Sequence, residues 1–128
     1  MAAEHISIGK LGEQISCIYL QKKGYKIIER NFRCKTGEID IIASRPNNSI
    51  SFVEVKCRVG INHGMPYESV TSGKRKRLYS AIQLYILQNK LSESKLNIEV
   101  ISIILNPDKS IGEIKHFDDL GTDLQETI

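Results

Sequence analysis

The chain has 128 residues, of which 41% are hydrophobic and 26% charged, with a formal net charge of +3; this length suits one domain with its own core. The absence of low-complexity tracts and internal repeats excludes a largely disordered protein or a solenoid. No run reaches the ~20 apolar residues of a membrane helix, residues 1–10 lack the basic-then-apolar pattern of a secretory signal, and Cys17, Cys34 and Cys57 lack the close spacing of zinc or redox motifs, so a cytoplasmic protein with reduced thiols is expected.

The first predicted element is a helix over 6–23, with Ile8, Leu11, Ile15, Ile18 and Tyr19 as its apolar stripe and Gly24 as its stop. Glu13 lies off that stripe and is placed to point towards a sheet edge. Strands follow over 25–33, 38–43 and 50–58, separated by a turn at 34–37 and by Ser44-Arg45-Pro46-Asn47-Asn48-Ser49, whose proline and asparagines suit turn geometry. After a loop at 59–66, a second helix runs from Ser69 or Ser72 to Asn89, opening on Lys74-Arg75-Lys76-Arg77. The β-branched run at 97–105 reads as a buried strand, and 111–117 as an edge strand. Residues 1–117 are expected to form one domain, and 118–128 an acidic, loosely held tail.

The order helix-β-β-β-helix-β-β describes an α/β fold with a small mixed sheet flanked by helices. A right-handed crossover would place the third and fourth strands parallel.

The hairpin of the second and third strands carries the chemistry. Asp40 would lie beside Glu54 and Lys56, and these last two share a sheet face by the period of two. Magnesium and manganese favour hard oxygen ligands, commonly one or two carboxylates with water and phosphate in the remaining positions. Asp40, Glu54 and the Val55 carbonyl would supply such ligands, Lys56 would orient a nucleophile or stabilise developing charge, and Glu13 would complete the acid cluster. On the pattern alone a second interpretation stands beside this one, in which the same acids form ordinary cross-strand ion pairs with Lys56 or Arg58.

Charge is uneven along the chain. Residues 1–89 carry 14 Lys/Arg against 7 Asp/Glu, and residues 90–128 carry 4 against 8. A basic surround for an acidic cluster suits a polyanionic ligand that also requires metal, and the run Lys74 to Arg77 could track a phosphate backbone. His5, His63 and His116 lack ligand spacing and read as incidental, with His63 nearest the site. Tyr79 and Tyr85 read as packing residues, and the low aromatic content argues for backbone rather than base recognition.

Gly9-x-x-Gly12-Glu13, Tyr19-Leu20, Gly24-Tyr25, Arg30-Asn31-Phe32-Arg33, Gly37-Glu38-Ile39-Asp40-x-Ile42-Ala43 and Phe52-Val53-Glu54-Val55-Lys56-x-Arg58, continued by Gly64-x-Pro66, Val70, Lys74, Arg77-Leu78, Ala81 and Tyr85, together resemble the YraN-like bacterial proteins, a largely uncharacterised family. The resemblance covers roughly residues 9–105. Such proteins are similar to the PD-(D/E)xK nuclease superfamily, with a restriction-endonuclease-like core close to Holliday-junction resolvases. The resemblance implies Glu13, Asp40, Glu54 and Lys56 as catalytic residues, Mg2+ or Mn2+ as cofactor, and nucleic acid, foremost DNA, as partner. Arg33, Arg58 and Lys74 match further characteristic positions, to which phosphate contact is assigned along with Arg75 and Arg77. A resolvase-like role would imply a homodimer, and a noncatalytic binding module is the alternative, because related folds serve as such. The chain departs from the family pattern at Ser16, where alanine is usual, and at Asn97-Ile98-Glu99, where Arg-Phe-Asp is expected.

Overall fold

The computed structural model describes residues 7–60, 72–91 and 96–118. In chain order the elements are α1 (Ile8–Lys22), β1 (Lys26–Cys34), β2 (Gly37–Ser44), β3 (Ile50–Val59), α2 (Ser72–Asn89), β4 (Leu96–Leu105) and β5 (Ile111–Phe117). The five strands form one sheet in the order β1-β2-β3-β4-β5. β3 and β4 run parallel and every other neighbouring pair is antiparallel. The expected α/β order and mixed sheet are therefore present, with boundaries within two residues of those read from hydrophobic periodicity. The N-terminal residues through Ile6, the 61–71 segment with His63, and the tail from 119 onward lie outside the described residues.

The helices cover opposite faces of the sheet. On one side Cys17 and Leu20 of α1 pack with Ile41, Ala43, Val53, Ile101, Ile103 and Leu105; on the other, Leu78, Ala81, Ile82 and Tyr85 of α2 pack with Ile39, Ile42, Phe52 and Ile98. Apolar burial on both faces is why β2, β3 and β4 read as nearly continuous hydrophobic runs.

Ser7 caps α1, its Oγ accepting the Lys10 amide N–H at 3.2 Å. The buried side of this helix is formed by Gly12, Ser16, Cys17 and Leu20. Ile18 is 55% exposed, which corrects its placement in the apolar stripe: the face that meets the sheet is the one with small residues, because it must come close. A Cβ at Gly12 would sit 2.5 Å from the Cys57 Cβ. Gly37 plays the same part for α2, since a Cβ there would collide with the Arg77 carbonyl.

Two strands break their alternation at one level. Ile39 faces α2 whereas Ile41 and Ala43 face α1, although all three have the same parity, so β2 rotates at Asp40. In β1, Asn31 has φ 55° and lies between the pairs Arg30↔Ile41 and Phe32↔Ile39, that is, opposite Asp40.

The close approach at Gly12 is open to test. Gly12→Ala should destabilise the protein by about 1–3 kcal/mol, the usual cost of overpacking, as measured by urea unfolding. A variant within about 0.5 kcal/mol of wild type, the range of an ordinary surface substitution, would show that α1 is not seated through this glycine.

Candidate active site

Pairing between β2 and β3 runs only from Ser44↔Ile50 to Ile41↔Val53, although both strands continue beyond it. β3 stays in register with β4 as far as Val59↔Leu105. The sheet therefore forks at Asp40. A backbone N–H on the β2 side of β3 loses its ladder acceptor beyond this point, and a buried N–H needs a replacement. Asp40 provides it: its Oδ2 accepts the Val55 amide N–H at 2.8 Å.

The fork brings acids together. The Asp40 and Glu54 carboxyl groups stand close enough for the charge of one to act on the other. Burial, reinforced by the charge of Glu54 and by Glu13 and Glu38, pushes Asp40 up to about 7. Burial also raises Glu54, although Lys56 opposes the shift. Lys56 Nζ lies 3.3 Å from Glu54 Oε1, with both side chains mostly buried. Lys56 compensates Glu54 and not Asp40, so the site cannot readily hold two negative charges.

Glu13 arrives from α1, near enough to act on Asp40. Its Oε1 is buried without a hydrogen bond, and the Arg30 guanidinium stands 3.8 Å away. Arg30 is a neighbour that periodicity did not single out; the short β1–β2 turn, which sets Arg30 opposite Ile41, was the signal for it. Val55 enters the site through its N–H, donated to Asp40.

The cationic positions are spread around this centre. Arg33 is exposed on β1 with its Nε 3.5 Å from Glu38, Arg58 is exposed near the end of β3, and Arg77 is exposed on α2 with Arg75 half-buried nearby. Because the Arg77 carbonyl abuts Gly37, the basic start of α2 crosses β2 three residues from Asp40. The side chain of Lys74 lies outside the described residues.

A second polar cluster, which no local spacing announces, lies elsewhere on the sheet. Glu99, fully buried, accepts from Tyr25 Oη at 3.0 Å and Arg45 Nε at 3.0 Å and is hydrogen-bonded to His116 Nε2 and to Ser51. Burial alone would raise Glu99, but His116, Ser51 and Arg45 outweigh it and hold the carboxyl below its ordinary value. Burial and then the adjacent Glu99 push Tyr25 up to about 12. His116, which reads as incidental in sequence, is here a buried strut, its ring edge-on to Tyr19. The network anchors β5 and the β2–β3 turn to β4.

The matching family model, described as Uncharacterised protein family UPF0102, spans residues 12–103. The chain belongs to this family. A UPF0102 protein of Caldanaerobacter subterraneus subsp. tengcongensis is 41% identical over 111 residues, covering 86% of this chain and 90% of the relative. One from Clostridium novyi is 50% identical over 99 residues, 77% of this chain and 82% of the relative, and one from Desulforamulus reducens is 38% identical over 117 residues, 91% and 96% respectively. The matched stretch of UPF0102 contains Glu13, the fork at Asp40, and Tyr25, Arg45, Ser51 and Glu99 of the second cluster, but not His116. None of the helices among the described residues is long and apolar enough to cross a membrane.

Two predictions concern the titrating groups of this UPF0102 protein. An acid whose folded pKa is raised contributes stability at low pH that is lost as pH climbs from the unfolded value of 3.8 towards about 7. Asp40→Asn should therefore match wild type near pH 4 and exceed it at pH 8 by on the order of 2 kcal/mol in chemical denaturation; a less stable variant at pH 8 would contradict the raised pKa. Glu99 has the opposite sign: its contribution is present above the ordinary carboxyl range and lost on acidification. At neutral pH, Arg45→Ala should cost about 2–4 kcal/mol by exposing an under-compensated buried charge, and a loss below about 0.5 kcal/mol would show that Glu99 does not depend on it.

Proposed function

We propose that this UPF0102 protein is a metal-dependent phosphodiester hydrolase acting on nucleic acid, foremost DNA. The observation that carries this reading is the forked sheet at Asp40, where two mostly buried carboxyl groups come together and the neighbouring ammonium, that of Lys56, is paired with Glu54. Such a pair is poorly satisfied as a purely structural feature, because a buried structural acid is normally paired and hydrogen-bonded to completion, as Glu99 is.

The donor set fits a hard divalent cation. No group of three or more His, Cys, Asp or Glu that could hold a metal occurs among the described residues, yet magnesium typically takes one or two carboxylates and leaves its remaining positions to water and phosphate. Asp40 and Glu54 would hold Mg2+ or Mn2+, with the Val55 carbonyl as a third ligand. When bound, the metal supplies Lewis acidity towards a phosphoryl oxygen.

The rest follows from the chain's own groups. Asp40, fixed by the Val55 N–H, cannot swing away from the fork. Lys56 on the same face of β3 as Glu54 would be freed from that carboxylate when Glu54 turns to the cation, and would orient the attacking water or stabilise charge on the phosphoryl group. Glu13, balanced by Arg30, would assist from α1. Arg33, Arg58, Lys74, Arg75 and Arg77 would bind the phosphate backbone, the last three from the helix start that crosses β2. A four-way DNA substrate would call for a homodimer, matching its two-fold symmetry.

The second reading is a binding module without cleavage, and the observation on its side is the Lys56–Glu54 ion pair, which gives the lysine a structural partner. Incubation of the purified protein with linear, flapped and four-way DNA and with RNA, in magnesium or manganese, separates the two. Cleavage should fall on the order of 10³-fold in Asp40→Asn and in Lys56→Ala. Cleavage unchanged by both substitutions would exclude this site as its source, and salt-sensitive binding without any Asp40-dependent cleavage would establish the module.

A further inference from the structure

We propose that the open cavity between the start of α1 and the middle of β1 is a phosphate subsite, in which Lys10, Asn31 and Arg33 hold one phosphodiester of a nucleic-acid strand beside Asp40. The inference rests on the nuclease reading for the nature of the ligand and adds where the strand lies.

The cavity has a volume of about 510 Å³ and is lined by Ser7, Gly9, Lys10, Glu13, Asn31 and Arg33, a size suited to a ligand. Two cations and one carboxylate leave it one positive charge, the complement of a phosphodiester. Glu13 is already opposed by Arg30, and the partner of Arg33, Glu38 at 3.5 Å, forms with it an exposed pair of the weak kind that a phosphate can displace. Space is open as well, since a Cβ at Gly9 would meet nothing within 4 Å.

Asn31 supplies an independent sign. A non-glycine residue at positive φ within a strand carries a backbone cost of about 1 kcal/mol or more, and such costs gather at functional sites. Here that residue, at φ 55°, lines the cavity with an amide that can donate to a phosphate oxygen. The helix end itself is not the basis of the site, because Ser7 Oγ already accepts the Lys10 amide N–H.

The position relative to the acids gives the cavity its purpose. Glu13 lines it and also acts electrostatically on Asp40, so the subsite opens directly beside the fork. An anion entering there would be repelled by Glu13 and drawn to Lys10 and Arg33, which fixes the strand on the β1 side of the acids and presents the neighbouring phosphate to them.

Affinity for a fluorescein-labelled thymidine oligonucleotide, measured in metal-free buffer over a salt series, tests this without requiring cleavage. Lys10→Ala and Arg33→Ala should each reduce the slope of log affinity against log salt, and the double variant should reduce it by about 0.7, the contribution of one phosphate. Lys22→Ala, at the far end of α1, should leave it unchanged. Asn31→Gly, which removes the amide and relaxes the backbone, should weaken binding at constant slope. No oligonucleotide binding by wild type, wild-type slopes in Lys10→Ala and Arg33→Ala, or an equal drop in Lys22→Ala would overturn the subsite. Wild-type slopes alongside Asp40-dependent cleavage would reject the subsite alone, whereas the expected slopes without cleavage would reject the hydrolase reading alone.

Discussion

The hydrogen bond from the Val55 amide to the Asp40 carboxylate is the contact on which the candidate site depends. At Asp40, β2 turns away from β3, while β3 continues beside β4 for its full length. A forked sheet exposes unpaired backbone groups, and a side-chain acceptor at the branch point satisfies one of them. An intramolecular hydrogen bond contributes on the order of 1 kcal/mol net, so this one supports the branch and holds the Asp40 side chain in place. The same geometry lets acids from both faces of the sheet act on one point: Glu54 from the face covered by α2, Glu13 from the helix on the other.

The two buried acidic clusters show opposite solutions to one problem. Glu99 is surrounded by hydroxyl, guanidinium and imidazole groups and is held ionised. The Asp40–Glu54 pair has one lysine and one amide to satisfy it, and Asp40 rises to about 7. Removal of a carboxyl from water therefore produces a finished structural anchor in one place and unmet demand for positive charge in the other. That contrast is the physical ground for placing function at the fork rather than at Glu99, despite the catalytic appearance of a Tyr, His and Glu in contact.

Most of the fold was legible because both faces of the sheet are covered: runs such as Ile98 to Leu105 announce a buried strand, and Gly24 closes α1. The triad Asp40, Glu54 and Lys56 was legible through the period of two. What escaped were features that depend on departures from periodicity or on distant partners. Alternation alone would keep Asp40 in step with its neighbours, whereas Ile39 and Ile41 face opposite sides. Ile8, Leu11, Ile15 and Tyr19 of the apolar stripe of α1 do pack on the core, but the closest approach to the sheet is at Gly12 and Ser16, and Ile18, assigned inward, lies outside. The Tyr25–Glu99 contact joins residues 74 positions apart, and no local pattern encodes it.

Carboxyl NMR titration of Asp40 in the metal-free protein, repeated in magnesium, tests the central claim most directly. The expected result is an apparent pKa near 7 that falls when magnesium is added, because a cation held by Asp40 and Glu54 removes the penalty for ionising both. A pKa in the ordinary aspartate range, about 3.9, and indifferent to magnesium would contradict it, leaving Asp40 as a structural cap for the branch in the sheet.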